Sequence, residues 1–340
     1  MNLGSPDSPT SAALKPYLNE FLMDERVIDI PYWVRSFLVK GIIVPFRAPK
    51  SAEKYKTVWT KEGSPLVVHT QKLTGLVSQR FEEPVYYSMR YGNPTTESVL
   101  KKINEDNPGL DNLILFPLYP HYAMSSFETA VVQVQELHKA AGYKFSLQTV
   151  PPFYNEPHYI SALANSIRPY LANEVDHYLF SYHGIPERHV RKTDPGRNHC
   201  LKVNECCSVA DEAHNFCYRH QIIQTTELVA KKLGLPKDRY SFSFQSRLGS
   251  DAWLKPYTVK QLKEFPKAGI KNLVIICPAF VSDCLETLEE IEVEGKEEFM
   301  ENGGEKYQMV PALNENVEWV DTMEFLIRKL LGRTVTQKAF

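Results

Sequence analysis

The chain has 340 residues, of which 43% are hydrophobic and 24% charged, with a formal net charge of −2. These values are typical of a globular protein of about two domains, and the lack of excess positive charge argues against a nucleic-acid partner. No apolar run reaches the roughly 20 residues of a membrane-spanning helix, and no signal peptide is recognisable. We therefore expect a cytoplasmic protein whose six cysteines stay reduced.

The chain opens with the segment Asn2-Leu3-Gly4-Ser5-Pro6, which we interpret as a turn. An apolar stretch, Ile30–Phe46, follows and is too short and too interrupted by Arg35 and Lys40 to span a membrane. It is compatible with a core helix leading into a cleft-lining loop and with an apolar lip that admits a ligand. Both can hold together, and we expect at most peripheral membrane contact.

Short apolar or β-branched runs bounded by polar residues predict the strands. In the first half they are Val85–Arg90, Leu113–Phe116 and Phe145–Val150. In the second half they are His177–His183, Tyr240–Gln245, Leu273–Cys277 and Tyr307–Val310. Helix-period stretches separate the latter, namely Thr225–Leu233, Thr258–Phe265 and Val317–Leu331. Strands that alternate with helices indicate βαβ units and a parallel sheet.

The two halves repeat one plan. Arg90-Tyr91-Gly92 resembles Arg247-Leu248-Gly249, and Pro117 and Pro151 occupy places like those of Pro278 and Pro311. The opening segment then aligns with residues 182–186, so we expect the first strand to lie upstream of residue 1.

The predicted fold is α/β, with two doubly wound Rossmann-like domains, each with a four-stranded parallel sheet, related by a pseudo-two-fold axis. We predict domains at residues 1–155, with its first strand truncated, and 156–332, with a Cys-rich insertion at about 197–220. Two such domains would form a ligand cleft at the carboxyl ends of their strands. One large sheet without internal symmetry is the alternative.

His183 ends an apolar strand and is followed by Gly184, Ile185 and Pro186, which form a turn. A histidine at this place points into the expected cleft, and an imidazole can accept a proton at neutral pH. Considered alone, the motif leaves a structural role equally open.

Three carboxylates follow the third strand of the same half. Glu286, Glu290 and Glu294 are spaced so that one helical face presents all of them. Like charges at this spacing repel, and a hydrated divalent cation would offset the repulsion. A solvated acidic face is the alternative.

A cysteine-rich segment follows the His183 loop and contains Cys200, Cys206, Cys207 and Cys217. The pattern is not that of a zinc ribbon. Four thiolates could hold a [2Fe–2S] cluster or a structural zinc, or could remain empty reduced thiols.

Residues 181–186 and 280–290 resemble the two signature segments of ferrochelatases. The similarity runs essentially end to end and takes in residues 2–6, 17–22, 63–65, 89–94 and 116–120. It implies an enzyme that inserts Fe(II), its substrate, into protoporphyrin IX to form protohaem with release of two protons. No nucleotide is implied.

The resemblance also implies residue roles. His183 and Glu286 are the catalytic pair, and the metal-path residues are His183, Glu286, Asp283, Glu290 and Glu294. Arg90 lies on the opposite wall of the porphyrin site, and Arg47, Lys50 and Ser64 match positions that contact propionates. Leu3, Tyr55, Trp253 and Phe280 complete the implied porphyrin-binding set. Some relatives have a second histidine where this chain has Cys284, so we leave Cys284 out of the catalytic set.

Some ferrochelatases carry a [2Fe–2S] cluster, so the resemblance favours a cluster at the four cysteines without identifying the ligands. Coproporphyrin as the substrate and a cobalt or other tetrapyrrole chelatase are the enzymatic alternatives. The form of the second signature resembles protoporphyrin-type enzymes more. A tetrapyrrole carrier is the alternative from another class, but a carrier needs no base opposite a carboxylate.

Overall fold

The computed structural model describes residues 1–172, 174–247, 249 and 251–332. Leu248, which belongs to the repeated Arg247–Gly249 segment, lies outside the described residues. The chain divides into two compact units. Among the described residues, the first contains Met1–Leu118, Met124–Pro151 and residues 323–332, and the second contains Tyr119–Ala123 and Pro152–Thr322.

The strands are short and all of them pair in parallel. They are β1 Asn2–Ser5, β2 Met89–Gly92, β3 Asn112–Leu115, β4 Ser146–Thr149, β5 His177–His183, β6 Tyr240–Gln245, β7 Asn272–Ile276 and β8 Lys306–Val310. The predicted α/β class with parallel sheets is therefore confirmed.

The α-helices lie between these strands in sequence. They are α1 Ser11–Leu22, α2 Tyr32–Ser36, α3 Val44–Val58, α4 Pro65–Ser78, α5 Thr96–Asp106, α6 Thr129–Ala141, α7 Pro157–Ile167, α8 Glu187–Thr193, α9 Tyr218–Leu233, α10 Thr258–Glu264, α11 Leu285–Thr287, α12 Lys296–Glu301 and α13 Val317–Leu330. Phe37–Ile43, Met124–Glu128 and Leu288–Gly295 are π-helical, and Arg168–Tyr170, Glu212–Phe216, Lys237–Arg239 and Pro266–Ala268 are 3₁₀ turns.

The second unit contains a four-stranded parallel sheet in the order β6-β5-β7-β8. Its central strand β5 reads His-Tyr-Leu-Phe-Ser-Tyr-His, and its first six residues are buried. A nearly continuous apolar run of this kind is expected for a parallel strand that is covered on both faces. β5 pairs with β6 on one edge and with β7 on the other, which makes it the centre of this unit.

The first unit differs in detail from the prediction. Its strands form two parallel pairs, β1 with β2 and β3 with β4, rather than one continuous four-stranded sheet. The Met1 ammonium donates to the Phe116 carbonyl at 2.8 Å, and the Leu118 amide donates to the Met1 carbonyl at 2.9 Å. These bonds place the start of β1 beside the end of β3, so the sequence of neighbours, β2-β1-β3-β4, matches that of the second unit.

An equivalent backbone hydrogen bond occurs in each of the two units. The Met89 amide donates to the Pro94 carbonyl at 2.9 Å, and the Phe244 amide donates to the Pro256 carbonyl at 2.8 Å. In each unit the second strand is thus tied to the loop that leads into the following helix. The pseudo-two-fold relation of the domains stays a prediction.

Two of the sequence-based expectations need correction. Residues 2–5 form strand β1 rather than a turn, because they pair with β2. The strand predicted at Val85–Arg90 lies at Met89–Gly92. The domain bounds 1–155 and 156–332 stay a prediction. The compact units run differently in that residues 323–332 belong to the first unit, where Arg328 donates to the Arg80 carbonyl at 3.0 Å.

An apolar cavity of about 430 Å³ lies inside the first unit. Residues 84–88 line one side of it and β3 lines another, with side chains from α4, α5 and α13. The buried Met1 ammonium adjoins it, and burial lowers the pKa of this amine from 8.0 to about 5. The first strand was expected upstream of residue 1, whereas it lies at Asn2–Ser5.

A chain lengthened by about four alternating apolar residues ahead of Met1 should unfold several degrees higher than the parent chain, because it fills the cavity. The parent should lose stability as the pH falls from 8 towards 5, since its unfolded amine takes up a proton that the folded amine resists. The extension should flatten this slope, measured by thermal unfolding at several pH values. An equal gain from a Gly-Ser extension, or an unchanged pH slope, would contradict the expectation.

Candidate active site at the carboxyl ends of β5 and β7

The strand order of the second unit creates a topological switch point. From β5 the chain passes to β6 on one side, and later returns to β7 on the other side. In open α/β sheets, ligands bind at the carboxyl ends of the strands where the order reverses. His183 is the last residue of β5, and the loop from Cys277 to Cys284 follows β7. The two predicted signature segments therefore lie at the same edge of one sheet.

The half-buried His183 is held in one orientation by its own turn. Its Nδ1 lies 2.7 Å from the carbonyl oxygen of Gly184. A carbonyl can only accept, so Nδ1 carries the proton and Nε2 is the basic nitrogen of the neutral ring. The ring of Phe280 meets the imidazole edge to face, with 6.3 Å between centroids.

Gly184 is required by close packing behind the histidine. A Cβ at this position would lie 2.8 Å from the Gln245 carbonyl oxygen and 3.2 Å from the Trp253 ring. Segment 252–254 pairs with the turn after β5, since the Glu187 amide donates to the Ala252 carbonyl at 2.9 Å. The Gly-Ile-Pro turn is therefore braced by the tryptophan segment.

Asp283 anchors the loop that follows β7. Its carboxylate accepts hydrogen bonds from the Thr287 hydroxyl at 2.9 Å, the Asn314 side chain at 2.7 Å and the Ala312 amide at 3.2 Å. The Asp283 amide in turn donates to the Asn314 side chain at 2.8 Å. These bonds give the buried carboxylate a structural role, and its predicted metal contact stays a prediction.

The predicted carboxylate series begins in α11 and continues into the π-helical turn Leu288–Gly295. Glu286 and Glu290 are half-buried, whereas Glu294 is exposed. The π-helical turn replaces the regular helix that the spacing predicted, and such turns are frequent at functional sites. The series thus leads from the site towards solvent.

Glu290 is the carboxylate most strongly influenced by its surroundings. The Ser246 amide donates to it at 2.7 Å, and the Ser246 hydroxyl donates to its other oxygen. Burial is the main cause that raises the pKa of Glu290, and Glu286 adds to the rise, whereas Ser246 and His183 oppose it. His183, Glu286 and Glu290 therefore interact electrostatically in one group.

Cys284 lies beside this group. Burial is the main cause that raises the pKa of its thiol well above the usual value, and the neighbouring Glu286 adds to the rise. The thiol therefore stays protonated at neutral pH, which agrees with leaving Cys284 out of the catalytic set.

Arg90 in the first unit is held by a buried network. Its guanidinium donates to Asp24 and, at 2.8 Å, to the Thr129 hydroxyl. Burial works to raise the pKa of Asp24, but hydrogen bonds from Thr129 and the Arg26 amide and the charge of Arg90 lower it overall. Tyr91 also donates to Asp24 at 2.9 Å. The predicted porphyrin-site arginine thus has a fixed orientation.

The other predicted porphyrin-binding residues of the first unit lie on three elements. Arg47, which is half-buried, and Lys50, which is exposed, are on α3, together with the buried Tyr55. Ser64 is buried at the N-terminus of α4, and Leu3 is half-buried in β1. In the second unit Trp253 is buried and Phe280 is half-buried.

All four cysteines of the insertion are buried, and all carry free thiols. Cys217 caps the N-terminus of α9, and hydrogen bonding with Cys200 is the main cause that raises the pKa of the Cys217 thiol to about 12. The Arg219 guanidinium donates to the Cys207 sulfur at 3.0 Å. Within the described residues, however, no three His, Cys, Asp or Glu side chains are arranged to hold a metal ion. The cysteines as they lie therefore do not support the expected [2Fe–2S] cluster or zinc.

Sequence reasoning missed the side chains that hold the site from behind. They are Tyr159, Tyr218, Gln245 and Ser246, and each donates to a backbone carbonyl or a carboxylate of the site loops. Gln245 ends a strand, and its polar side chain there was an available signal. The tyrosines lie on α7 and α9, where an aromatic residue usually indicates core packing.

In the part of the chain that the structure describes, no helix has the length and apolar character needed to cross a membrane.

Comparison with known proteins identifies the family. The family model described as Ferrochelatase matches residues 1–331. A ferrochelatase from Opitutus terrae is 48% identical over 336 residues, which cover 97% of this chain and 96% of the relative. A ferrochelatase from Pseudomonas entomophila is 46% identical over 324 residues, covering 94% and 95%.

A solved structure shares the fold. SirB from Bacillus subtilis, solved with Fe3+, superposes with a TM-score of 0.53 at 10% identity, covering 79% of this chain and 92% of SirB. At this identity the likeness concerns the fold alone, and it agrees with the predicted chelatase-like architecture. The family assignment depends instead on the match along nearly the whole chain: this protein belongs to the ferrochelatase family.

Proposed function

We propose that this chain is a ferrochelatase that inserts Fe(II) into protoporphyrin IX, forming protohaem and releasing two protons, with His183 and Glu286 as the catalytic pair. The observation that carries the proposal is that His183, whose Nε2 is the basic nitrogen, interacts electrostatically with Glu290 in one group with Glu286, at the switch point of the sheet. The membership in the ferrochelatase family supports the reaction itself.

Metal insertion requires a base that accepts the pyrrole protons and a series of carboxylates along which the metal ion reaches the macrocycle. Two pyrrole N–H groups must lose their protons as a dication enters the macrocycle. His183 Nε2 accepts a pyrrole proton, and the resulting imidazolium is stabilised by the neighbouring carboxylates. The proton then leaves towards solvent, and the neutral ring accepts the second one.

The carboxylates account for the other reactant. Fe(II) is a divalent cation that carboxylate oxygens and imidazole can both bind. We propose that Glu294, Glu290 and Glu286 conduct it from the exposed end of the series to the half-buried end. Asp283 supports this path by holding the loop, and it is the further carboxylate of the proposed metal path.

The porphyrin contacts remain part of the proposal. Aromatic and apolar side chains at Leu3, Tyr55, Trp253 and Phe280 suit a flat apolar macrocycle. The cations Arg47 and Lys50, with Ser64, suit the two propionates. Arg90, which Asp24 and Thr129 hold in place, completes the proposed porphyrin-binding set. Coproporphyrin as substrate, and insertion of cobalt, are outcomes that the family membership does not favour.

Contact with a membrane surface and the location in the cell are also part of the proposal. The exposed side chains of Trp33, Phe37 and Phe46, which are 81%, 71% and 72% exposed, support peripheral contact with a membrane surface. The free thiols of all six cysteines support a reducing, cytoplasmic location. No step of the proposed reaction uses the four cysteines of the insertion.

Replacing His183→Ala should lower the rate of metal insertion by roughly 10²- to 10⁴-fold, because the general base is removed. The rate is followed anaerobically by absorbance with Fe(II) and protoporphyrin IX. His138→Ala is the matched control, since this half-buried histidine also bonds a backbone carbonyl, that of Phe145 at 2.8 Å. If the His183 variant inserted iron as fast as the parent chain, the proposed mechanism would be wrong.

The carboxylate path predicts graded effects. Glu290→Gln should raise the Fe(II) concentration needed for half-maximal rate about tenfold, whereas Glu294→Gln should change it two- to threefold, because water replaces an exposed carboxylate more readily. Steady-state titration with Fe(II) at saturating porphyrin measures both. A larger effect at Glu294 than at Glu290 would contradict the direction of the path.

A further inference from the structure

We propose that Tyr218 and Tyr159 are positioning residues for metal insertion: their buried phenols hold the backbone carbonyls of His183 and Pro278 and so fix the two site loops. The inference rests on the proposed function. It adds two residues that touch neither reactant and that act through the chain segments carrying His183 and Glu286.

The geometry is the same at both strands. The Tyr218 hydroxyl, on the first residue of α9, donates to the His183 carbonyl at 2.9 Å. The Tyr159 hydroxyl, on α7, donates to the Pro278 carbonyl at 2.8 Å. Each accepting carbonyl lies at or just beyond the carboxyl end of a strand, β5 in one case and β7 in the other.

The sheet holds the end of β5 against β6 but does not hold it against the segment that follows β7. The ladder between β5 and β7 runs from the pair His177–Leu273 to the pair Phe180–Ile276, and the paired register ends there. Beyond this register, the end of β5 and the segment after β7 carry the catalytic residues, but these two stretches do not pair with each other. A backbone carbonyl in a buried place needs a donor, and here the donors are the two phenols.

Both tyrosines are suited to be fixed donors. Tyr159 is 0% exposed and Tyr218 is 5% exposed. Burial raises the pKa of each phenol, so both remain protonated and can donate throughout the working pH range. The rings of His121 and Tyr218 pack edge to face with 5.9 Å between centroids, which restricts the phenol further.

The two donors also belong to one support. Helices α7 and α9, which carry Tyr159 and Tyr218, pack against each other. One helical layer thus holds the end of β5 and the segment after β7 at a set separation. Gln245 completes the arrangement, because its side-chain amide donates to the Glu286 carbonyl at 3.0 Å.

Removing one of these phenol donors should lower the rate of the reaction rather than the affinity for the substrates. A general base must lie within about 3 Å of the proton it removes, and a displacement of about 1 Å can cost 10²-fold in rate. Tyr218→Phe keeps the ring and removes only the donor. We expect kcat to fall about tenfold or more, with the KM values for porphyrin and Fe(II) within twofold of the parent chain.

Tyr182→Phe is the matched control. Its phenol is buried in the same aromatic group, 5.5 Å from His121 between centroids, but it bonds the Thr226 hydroxyl at 2.8 Å instead of a site carbonyl. This variant should keep kcat within twofold. Tyr159→Phe should behave like Tyr218→Phe, and circular dichroism and thermal unfolding verify that all variants fold.

A double-mutant cycle distinguishes positioning from general damage. In a His183→Ala background, Tyr218→Phe should cause no further loss in the residual rate, because the phenol acts through the missing imidazole. A second loss of the same size, or a fall in kcat for Tyr182→Phe equal to that for Tyr218→Phe, would overturn the proposal. A full rate for Tyr218→Phe would overturn it as well, whereas a full rate for His183→Ala would instead overturn the proposed function.

Discussion

The parallel pairing of β5 with both β6 and β7 is the constraint on which the rest of the second unit depends. Since parallel strands end at the same edge of a sheet, this pairing brings His183 and the loop after Ile276 together. The buried apolar run of β5 stabilises the pairing from both faces. The site residues are therefore brought together by the sheet, even though they are far apart in sequence.

The site residues lie at or beyond the ends of the strands, so their polar groups need hydrogen-bond partners other than a neighbouring strand. Asp283 and Asn314 bind each other across the loop after β7. Ser246 holds Glu290, and Tyr218 holds the His183 carbonyl. The site is thus a set of buried polar groups satisfied by fixed donors, an arrangement that favours one geometry of the base relative to the carboxylates.

Much of this organisation could be predicted from the sequence. The limits of β5 and β6 agree with the apolar runs, because a buried parallel strand requires such a run. His183 was singled out by its place at the end of a strand, and its catalytic role is a proposal. The strand at Met89–Gly92 was misplaced, because the apolar residues from Val85 line the cavity instead of forming a ladder.

The hydrogen-bond donors behind the site could not be predicted. Tyr159 and Tyr218 lie on helices whose apolar pattern describes packing and carries no information about which carbonyl a phenol reaches. The π-helical turn at Leu288–Gly295 also escaped prediction, since the spacing of its glutamates is compatible with a regular helix. Such features depend on tertiary contacts.

The most direct test of the central claim is the stoichiometry of a single reaction. The chain is incubated anaerobically with Fe(II) and protoporphyrin IX, and haem formation and proton release are followed together by absorbance and a pH indicator. The account predicts catalytic turnover with two protons released for each haem formed. Porphyrin binding without haem formation would contradict it and indicate a carrier.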